Sequence, residues 1–517
     1  MVAAPPPPTP ARSWRTGSWI DDRWAGLPPR ARTILRWSAP AGIMLTAALT
    51  RLVGIDQPHE IVFDETYYVK DAWTTWVNGY ESTWQTKPGD DGWTNEQFAS
   101  GNVDIFTDQG EFAVHPPLGK WLIALGMAAF GPADSYGWRF SVAIAGILLV
   151  GLVMLVAHRL TRSMLVAAFA GGLLAIDGNG IVMSRIGLLD GFVALFALLG
   201  FWFVLLDRER TLRTGALWAR PWLLAAGAAL GAASAVKWNG VWFIVFFGIW
   251  TVFSDVWASR NGWELLRRIP VNFLLLVPVA LVVYLASWAG WFATDNGYYR
   301  HWADQGDHAW TGFWAWVPHS IQSFVHQQQE VLRFHENLRA DHPYKSQAWA
   351  WLLLVRPTSF YYVSSNAGDP GCGADSCGAA ITDIPNPLIW YASIAALVWL
   401  VVVVSRRRAS WAKAPAIAVL IGFAAGWAPW LLQWERPTYF FYSIAYQPFL
   451  VIALAMALRA FLGAREDERS RRTTRTWLVV GFLVLCTALS VFYWPMWTGM
   501  TVPYDFLRLH WWVPSWI

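Results

Sequence analysis

Apolar residues fall along this chain in long runs separated by short polar connections, over nearly the whole length. The runs approach or exceed the roughly 20 residues that a helix needs to cross a bilayer. Helices satisfy their own backbone in lipid, so the pattern predicts an all-α polytopic membrane protein. Eleven transmembrane helices are predicted, at about 33–54, 138–157, 164–176, 191–206, 222–240, 241–256, 271–292, 388–404, 414–432, 439–461 and 477–493. The run 118–130 is too short for a comfortable span and follows His115-Pro116-Pro117, a good helix start. It is predicted to be an interfacial helix. Segment 293–346 reads as a long amphipathic stretch, and Trp288, Trp291, Trp302, Trp310, Trp314 and Trp316 suggest loops lying on the membrane.

Basic residues set the orientation. Arg159 and Arg162; Arg208, Arg210, Arg213 and Arg220; Arg260, Arg267 and Arg268 fall in alternating loops. Arg406, Arg407, Arg408 and Lys413, then Arg465, Arg469, Arg471, Arg472 and Arg475, continue the alternation. Arg12, Arg15, Arg23, Arg30 and Arg32 precede the first span. With an odd span count all of these are cytoplasmic, together with the N-terminus. The C-terminus is then extracytoplasmic, in a multi-pass protein of the plasma membrane. Residues 1–32 begin Pro-rich, without the apolar core of a signal peptide, and are expected to be a disordered cytoplasmic tail. A membrane domain is expected over 33–517, with a first outer loop at 55–137 and a larger outer region at 293–387.

Composition adds little beyond this. The chain is 55% hydrophobic and 14% charged, with 38 tryptophans and a net charge of +4. Three cysteines exclude a disulfide framework, but Cys372 and Cys377 share an outer Gly-rich loop where a local bridge is expected. No Walker or Gly-rich phosphate loop is present, so the donor is expected to arrive through the membrane. No nucleic-acid partner and no cofactor are expected. The ten histidines show no zinc spacing, while dependence on a divalent metal stays open.

The polar residues that matter gather on the outer side. Asp64 and Glu65 follow the first span among Phe63, Tyr67 and Tyr68; they read as loop charges or as a general base. His115 stands at the head of the interfacial helix, with Lys120 snorkelling from it. Arg139 and Lys237, at outer span ends, suit a phosphate. Arg185 and Asp190, five residues apart in the turn after Asp177-Gly178-Asn179, are expected to fix that turn by hydrogen bonds and a salt bridge. Arg333-Phe334-His335-Glu336-Asn337 and His342-Pro343-Tyr344-Lys345-Ser346 either dock on the membrane or shape an acceptor groove.

These residues, in this order, resemble the protein O-mannosyltransferases of the bacterial, actinobacterial type. Phe63-Asp64-Glu65, His115-Pro116-Pro117-Leu118-Gly119-Lys120, Trp138-Arg139-Phe140, Ser184 to Asp190, Val236-Lys237 and His342 to Trp349 carry the resemblance. It implies a GT-C-type glycosyltransferase fold and inverting transfer of mannose from polyprenyl-phosphate mannose to Ser or Thr of exported proteins. It assigns catalysis to Asp64 with Glu65 in support. The donor phosphate goes to Arg139 and Lys237, with His115 and Arg185 nearby. Asp190, His342 and Tyr344 become acceptor or structural residues. Implied partners are the lipid-linked mannose, secreted Ser/Thr proteins coupled to the secretion translocon, and the bilayer. Segment 293–346 is too short for the β-trefoil module of eukaryotic members. Two rival readings are a transferase acting on a glycolipid or cell-wall glycan, and a membrane transporter using Asp64 and Lys237 as relays.

Overall fold

The computed structural model describes residues 18–259, 261–406 and 411–517; Arg12, Arg15, Arg260, Arg407 and Arg408 lie outside the described residues, as does the Pro-rich start. Helix α1 (Trp19–Ala25) starts at Ser18, whose hydroxyl accepts from the Ile20 N–H. Its Asp21 accepts from Arg459 and from the Ser163 hydroxyl, each at 2.6 Å. The expected tail 1–32 is therefore corrected from Ser18 onward: these part-buried contacts hold it against the helices.

Helix α2 (Pro29–Leu52) leads to α3 (Glu65–Asn78), the strand β1 (Ser82–Trp84), α4 (Trp93–Ala99) and β2 (Phe106–Gly110). Next come α5 (Leu118–Phe130), α6 (Ser135–Thr161), α7 (Met164–Ile176), α8 (Gly178–Val182) and α9 (Asp190–Thr214). Helices α10 (Pro221–Val236), α11 (Gly240–Ser259) and α12 (Glu264–Ser287) complete the first half. Short helices α13 (Ala289–Ala293) and α15 (Ala348–Leu352), with the longer α14 (His319–Asn337) between them, precede the hairpin β3 (Ser359–Asn366) and β4 (Ser376–Thr382). Helices α16 (Pro387–Ser405), α17 (Lys413–Trp427), α18 (Gln447–Phe461) and α19 (Arg469–Thr498) follow, then β5 (Val502–Pro503) and α20 (Tyr504–Arg508).

Among the described residues seven helices are long and apolar enough to cross a membrane: α6, α9, α11, α12, α16, α17 with its extension to Leu432, and α19. The spans expected at 164–176, 222–240 and 439–461 appear as α7, α10 and α18, of 13, 16 and 15 residues. The first expected span is the arginine-bearing α2. A count of eleven thus rests on helices that length and composition alone do not qualify. Each short helix is interrupted at its predicted outer end. Asp177 closes α7 and caps α8; Lys237 takes an extended backbone after α10; a 3₁₀ run, Phe440–Ala445, precedes α18.

The helical class holds, with an addition in the connections expected on the outer side. There β1 pairs with β2, and β3, β4 and β5 form a three-stranded antiparallel sheet. The expected Cys372–Cys377 bridge closes the β3–β4 turn. Helix α5 forms with the expected bounds, but its Lys120 does not snorkel. It is buried and paired with Asp71 at 3.1 Å and Glu81 at 2.8 Å. At the predicted cytoplasmic ends, Arg220 is buried between Asp207 and Asp255, and Arg208 and Arg268 also pair with Asp255. Charges that orient the chain thus also join α9, α10, α11 and α12.

Candidate active site

Phe63 has a left-handed backbone, φ +48°, which is costly for an aromatic residue. Four rings hold it there. His342, Phe360, Tyr439 and Phe441 pack edge-on against it, with centroids 5.0 to 6.3 Å away. The two carboxylates that follow lie in different surroundings.

Glu65 is fully buried. It accepts from Arg139 Nε at 2.8 Å and Nη2 at 2.9 Å, from the Val62 N–H at 3.0 Å and from the Gly187 N–H at 2.7 Å. A Cβ on Gly187 would stand 2.9 Å from Val69, so glycine permits this close approach. Arg139 spends its other hydrogens on the carbonyls of Ile55, Pro58 and Glu60. All the N–H groups of Arg139, expected to face the donor phosphate, are thus engaged by protein. Arg185 donates to the carbonyls of Thr50, Arg51, Val53 and Gly54, fastening the end of α2 rather than pairing with Asp190 as expected.

Asp64, half-buried at the start of α3, is the freer carboxylate. Burial pushes its carboxyl up to about 6; Lys237 and a hydrogen bond from Tyr68 favour the charged form, and Asp190 opposes it. Lys237 projects from the extended residue after α10 and pairs with Asp190 at 3.0 Å. Its ammonium also lies 4.5 Å from the Tyr442 ring centre. The carboxylate, the cation and the aromatic wall therefore meet where α3, α9, α10 and the 3₁₀ run converge.

Beside them opens a cavity of about 770 Å³. Its walls include Trp238, Val241, Val245, Leu281 and Tyr284, while His115, Lys237, His335 and Arg436 stand at polar positions on its lining. His115 and His335 stack with centroids 5.6 Å apart. Desolvation, reinforced by Lys237 and Arg436, lowers the proton affinity of both; His335 falls to about 4 and His115 lies well below its usual range. Both imidazoles are thus neutral near pH 7. The buried Nδ1 atoms of both rings and Nε of Arg436 have no hydrogen-bond partner among the described residues. Such a groove suits an apolar chain with an anionic head.

Arg436 was missed by sequence reasoning, although the signal that singled out Arg139 applied to it. It is a lone arginine in a connection assigned to the outer side, in Glu435-Arg436-Pro437. His342 touches Phe63 and Tyr439, and its Nδ1 accepts from the Tyr344 N–H at 3.2 Å. Tyr344 itself lies under Arg356, which ties this loop to the carbonyls of Ser515 and Ile517. Asp177 serves structure, accepting from the N–H groups of Asn179 and Asn386 and from Gln447. Among the described residues no three His, Cys, Asp or Glu side chains gather as metal ligands would.

Two family models match the chain. Residues 91–293 match "Dolichyl-phosphate-mannose-protein mannosyltransferase", and residues 320–516 match "C-terminal four TMM region of protein-O-mannosyltransferase". The polyprenol-phosphate-mannose–protein mannosyltransferase of Mycolicibacterium smegmatis is 33% identical over 93% of this chain and 93% of its own. That of Corynebacterium glutamicum is 30% identical over 95% of this chain and 97% of its own. The fold is similar to the S. cerevisiae protein O-mannosyltransferase Pmt1–Pmt2 complex bound to the sugar donor, with a TM-score of 0.70 and 16% identity, over 95% of this chain and 94% of that one. With relatives this similar over nearly its whole length, the chain belongs to the protein O-mannosyltransferase family.

Proposed function

We propose that this protein transfers mannose from polyprenyl-phosphate mannose to Ser or Thr hydroxyls of exported proteins, with inversion, at the outer face of the plasma membrane. The observation that carries this reading is the apolar groove bearing Lys237, His115, His335 and Arg436, with Asp64 electrostatically linked to Lys237. The names of the actinobacterial relatives support the donor and the acceptor class.

Asp64 accepts the hydroxyl proton as the oxygen attacks the anomeric carbon. The bond from that carbon to the phosphate oxygen breaks, and the released polyprenyl phosphate keeps the electron pair. Lys237 and Arg436 stabilise the growing charge, and His115, being neutral, offers it an N–H. A single displacement inverts the anomeric centre. Glu65, Arg139 and Arg185 are positioning residues, while Asp190 orients Lys237 and His342 supports Phe63. The basic loops support a cytoplasmic N-terminus and an extracytoplasmic C-terminus.

The test is a transfer assay in detergent with polyprenyl-phosphate mannose and a Ser/Thr peptide, without any gradient. Mannosylated peptide and free polyprenyl phosphate are the expected products, and their absence with intact protein would sink the reading. Lys237→Met and Arg436→Met are each expected to raise the donor KM about tenfold or more, as loss of a charged hydrogen bond does. An unchanged KM in both variants would place the phosphate elsewhere. Deleting the protein is expected to remove mannose from secreted proteins; a defect confined to cell-wall glycans would favour the glycolipid acceptor instead.

A further inference from the structure

Strand β3 is the open edge of its sheet. The order is β3-β4-β5, and among the described residues no strand pairs with the other side of β3. Its eight residues, Ser-Phe-Tyr-Tyr-Val-Ser-Ser-Asn, contain no charge and no proline. Folded proteins usually blunt edges of this length with Lys, Pro or a bulge, because unpaired N–H and C=O groups invite another strand. Here the register shift is confined to the start of the strand, and Tyr362 and Val363 are 48% and 43% exposed. The Cys372–Cys377 bridge closes the turn beyond it, which pre-forms the edge and lowers the ordering cost of pairing.

The other end of β3 packs against the loop that carries Asp64. Phe360 is buried against Phe63, the residue before Asp64, at 5.0 Å between centroids, and against Phe441 at 5.6 Å. Tyr361 stands with its hydroxyl 3.4 Å from Glu60, in the same connection as Asp64. At the turn end Asn366 is already taken up by Asp369, so the unpaired backbone groups of β3 lie between that turn and the loop that carries Asp64.

We infer that the acceptor polypeptide binds as an extended strand added to the free edge of β3, which delivers its hydroxyl to Asp64. The inference rests on the transfer proposed above and specifies how its acceptor is held. Main-chain pairing supplies the affinity and makes little demand on acceptor side chains. The uncharged edge favours an uncharged, Ser/Thr-rich extended segment. Successive side chains of a strand point to opposite faces, so the register that aims one hydroxyl at Asp64 turns its immediate neighbours away.

The first test leaves the enzyme unaltered. A short peptide with one central Thr among alanines is N-methylated at one backbone position at a time, and each version is assayed with polyprenyl-phosphate mannose. Methylation at alternate positions is expected to raise the peptide KM about three- to tenfold, the effect of losing a net hydrogen bond, with intervening positions tolerated. Donor KM is expected to stay constant. A flat scan, or equal loss at every position, overturns strand pairing. Failure to mannosylate the unmethylated peptide would instead fail the transfer reading itself. Val363→Cys cross-linking between two copies that the peptide does not compete away would assign the edge to self-association and also overturn the inference.

Discussion

Replacing Asp64 by Asn is expected to lower mannosyl transfer by about 10²–10⁴-fold while the protein still folds and binds donor, because it removes the proton acceptor and little else. The same base predicts the pH profile. Burial raises the Asp64 carboxyl to about 6, and transfer needs it ionised, so the rate should fall about tenfold per unit below that point. Lys237 favours the ionised form, and Asp190 opposes it. Removing the ammonium in Lys237→Met leaves Asp190 uncompensated, so the acid limb is expected to move to higher pH. Rate measurements from pH 5 to 8 at saturating donor read both effects. A wild-type rate in purified Asp64→Asn would dismiss Asp64 as the base, and an acid limb that moves down in Lys237→Met would contradict the arrangement.

The helical membrane class was legible because lipid imposes one pattern on every residue that meets it, and apolar length records that pattern directly. Only seven of the described helices, however, qualify as spans by length and composition. Where the sequence misled, the cause was pairing. Arg139 and Lys237 look alike in sequence, each a lone cation at an outer span end. The difference arises at Glu65, 74 residues before Arg139, which engages that guanidinium. Lys237 meets Asp190 yet still borders the groove. Lys120 was misjudged for the same reason, since neither Asp71 nor Glu81 lies near it in sequence. The tail was misjudged because the contact ordering it joins Asp21 to Arg459, across almost the whole chain. Strand β3 escaped notice because its Ser-Phe-Tyr-Tyr-Val stretch lacks clean alternation and runs into a Gly-rich turn. The adjacent acidic pair was visible throughout, but only the resemblance divided it, giving catalysis to Asp64 and support to Glu65. The strained Phe63 and the Gly187 N–H show the two carboxylates in different surroundings, which the residues alone did not reveal.

The pairing of Glu65 with Arg139 carries the sharpest test of this division. Both side chains are fully buried and joined by two hydrogen bonds, at 2.8 and 2.9 Å. Removing one partner leaves the other charge uncompensated in an apolar interior, which costs about 3–5 kcal/mol. Arg139→Leu and Glu65→Leu are therefore each expected to lower the apparent melting temperature in detergent, with activity falling in step with the folded fraction. Arg139→Leu additionally frees the carbonyls of Ile55, Pro58 and Glu60, and Glu65→Leu the N–H groups of Val62 and Gly187, so neither is benign. The double variant should be less damaging than the sum of the two, because the charge stranded by either single change is absent. A phosphate-binding Arg139 predicts a different outcome: full thermal stability in Arg139→Leu, a large rise in donor KM, and simple additivity with Glu65→Leu. Thermal unfolding of the four proteins beside their donor KM values separates a residue that builds the catalytic loop from one that holds the lipid phosphate.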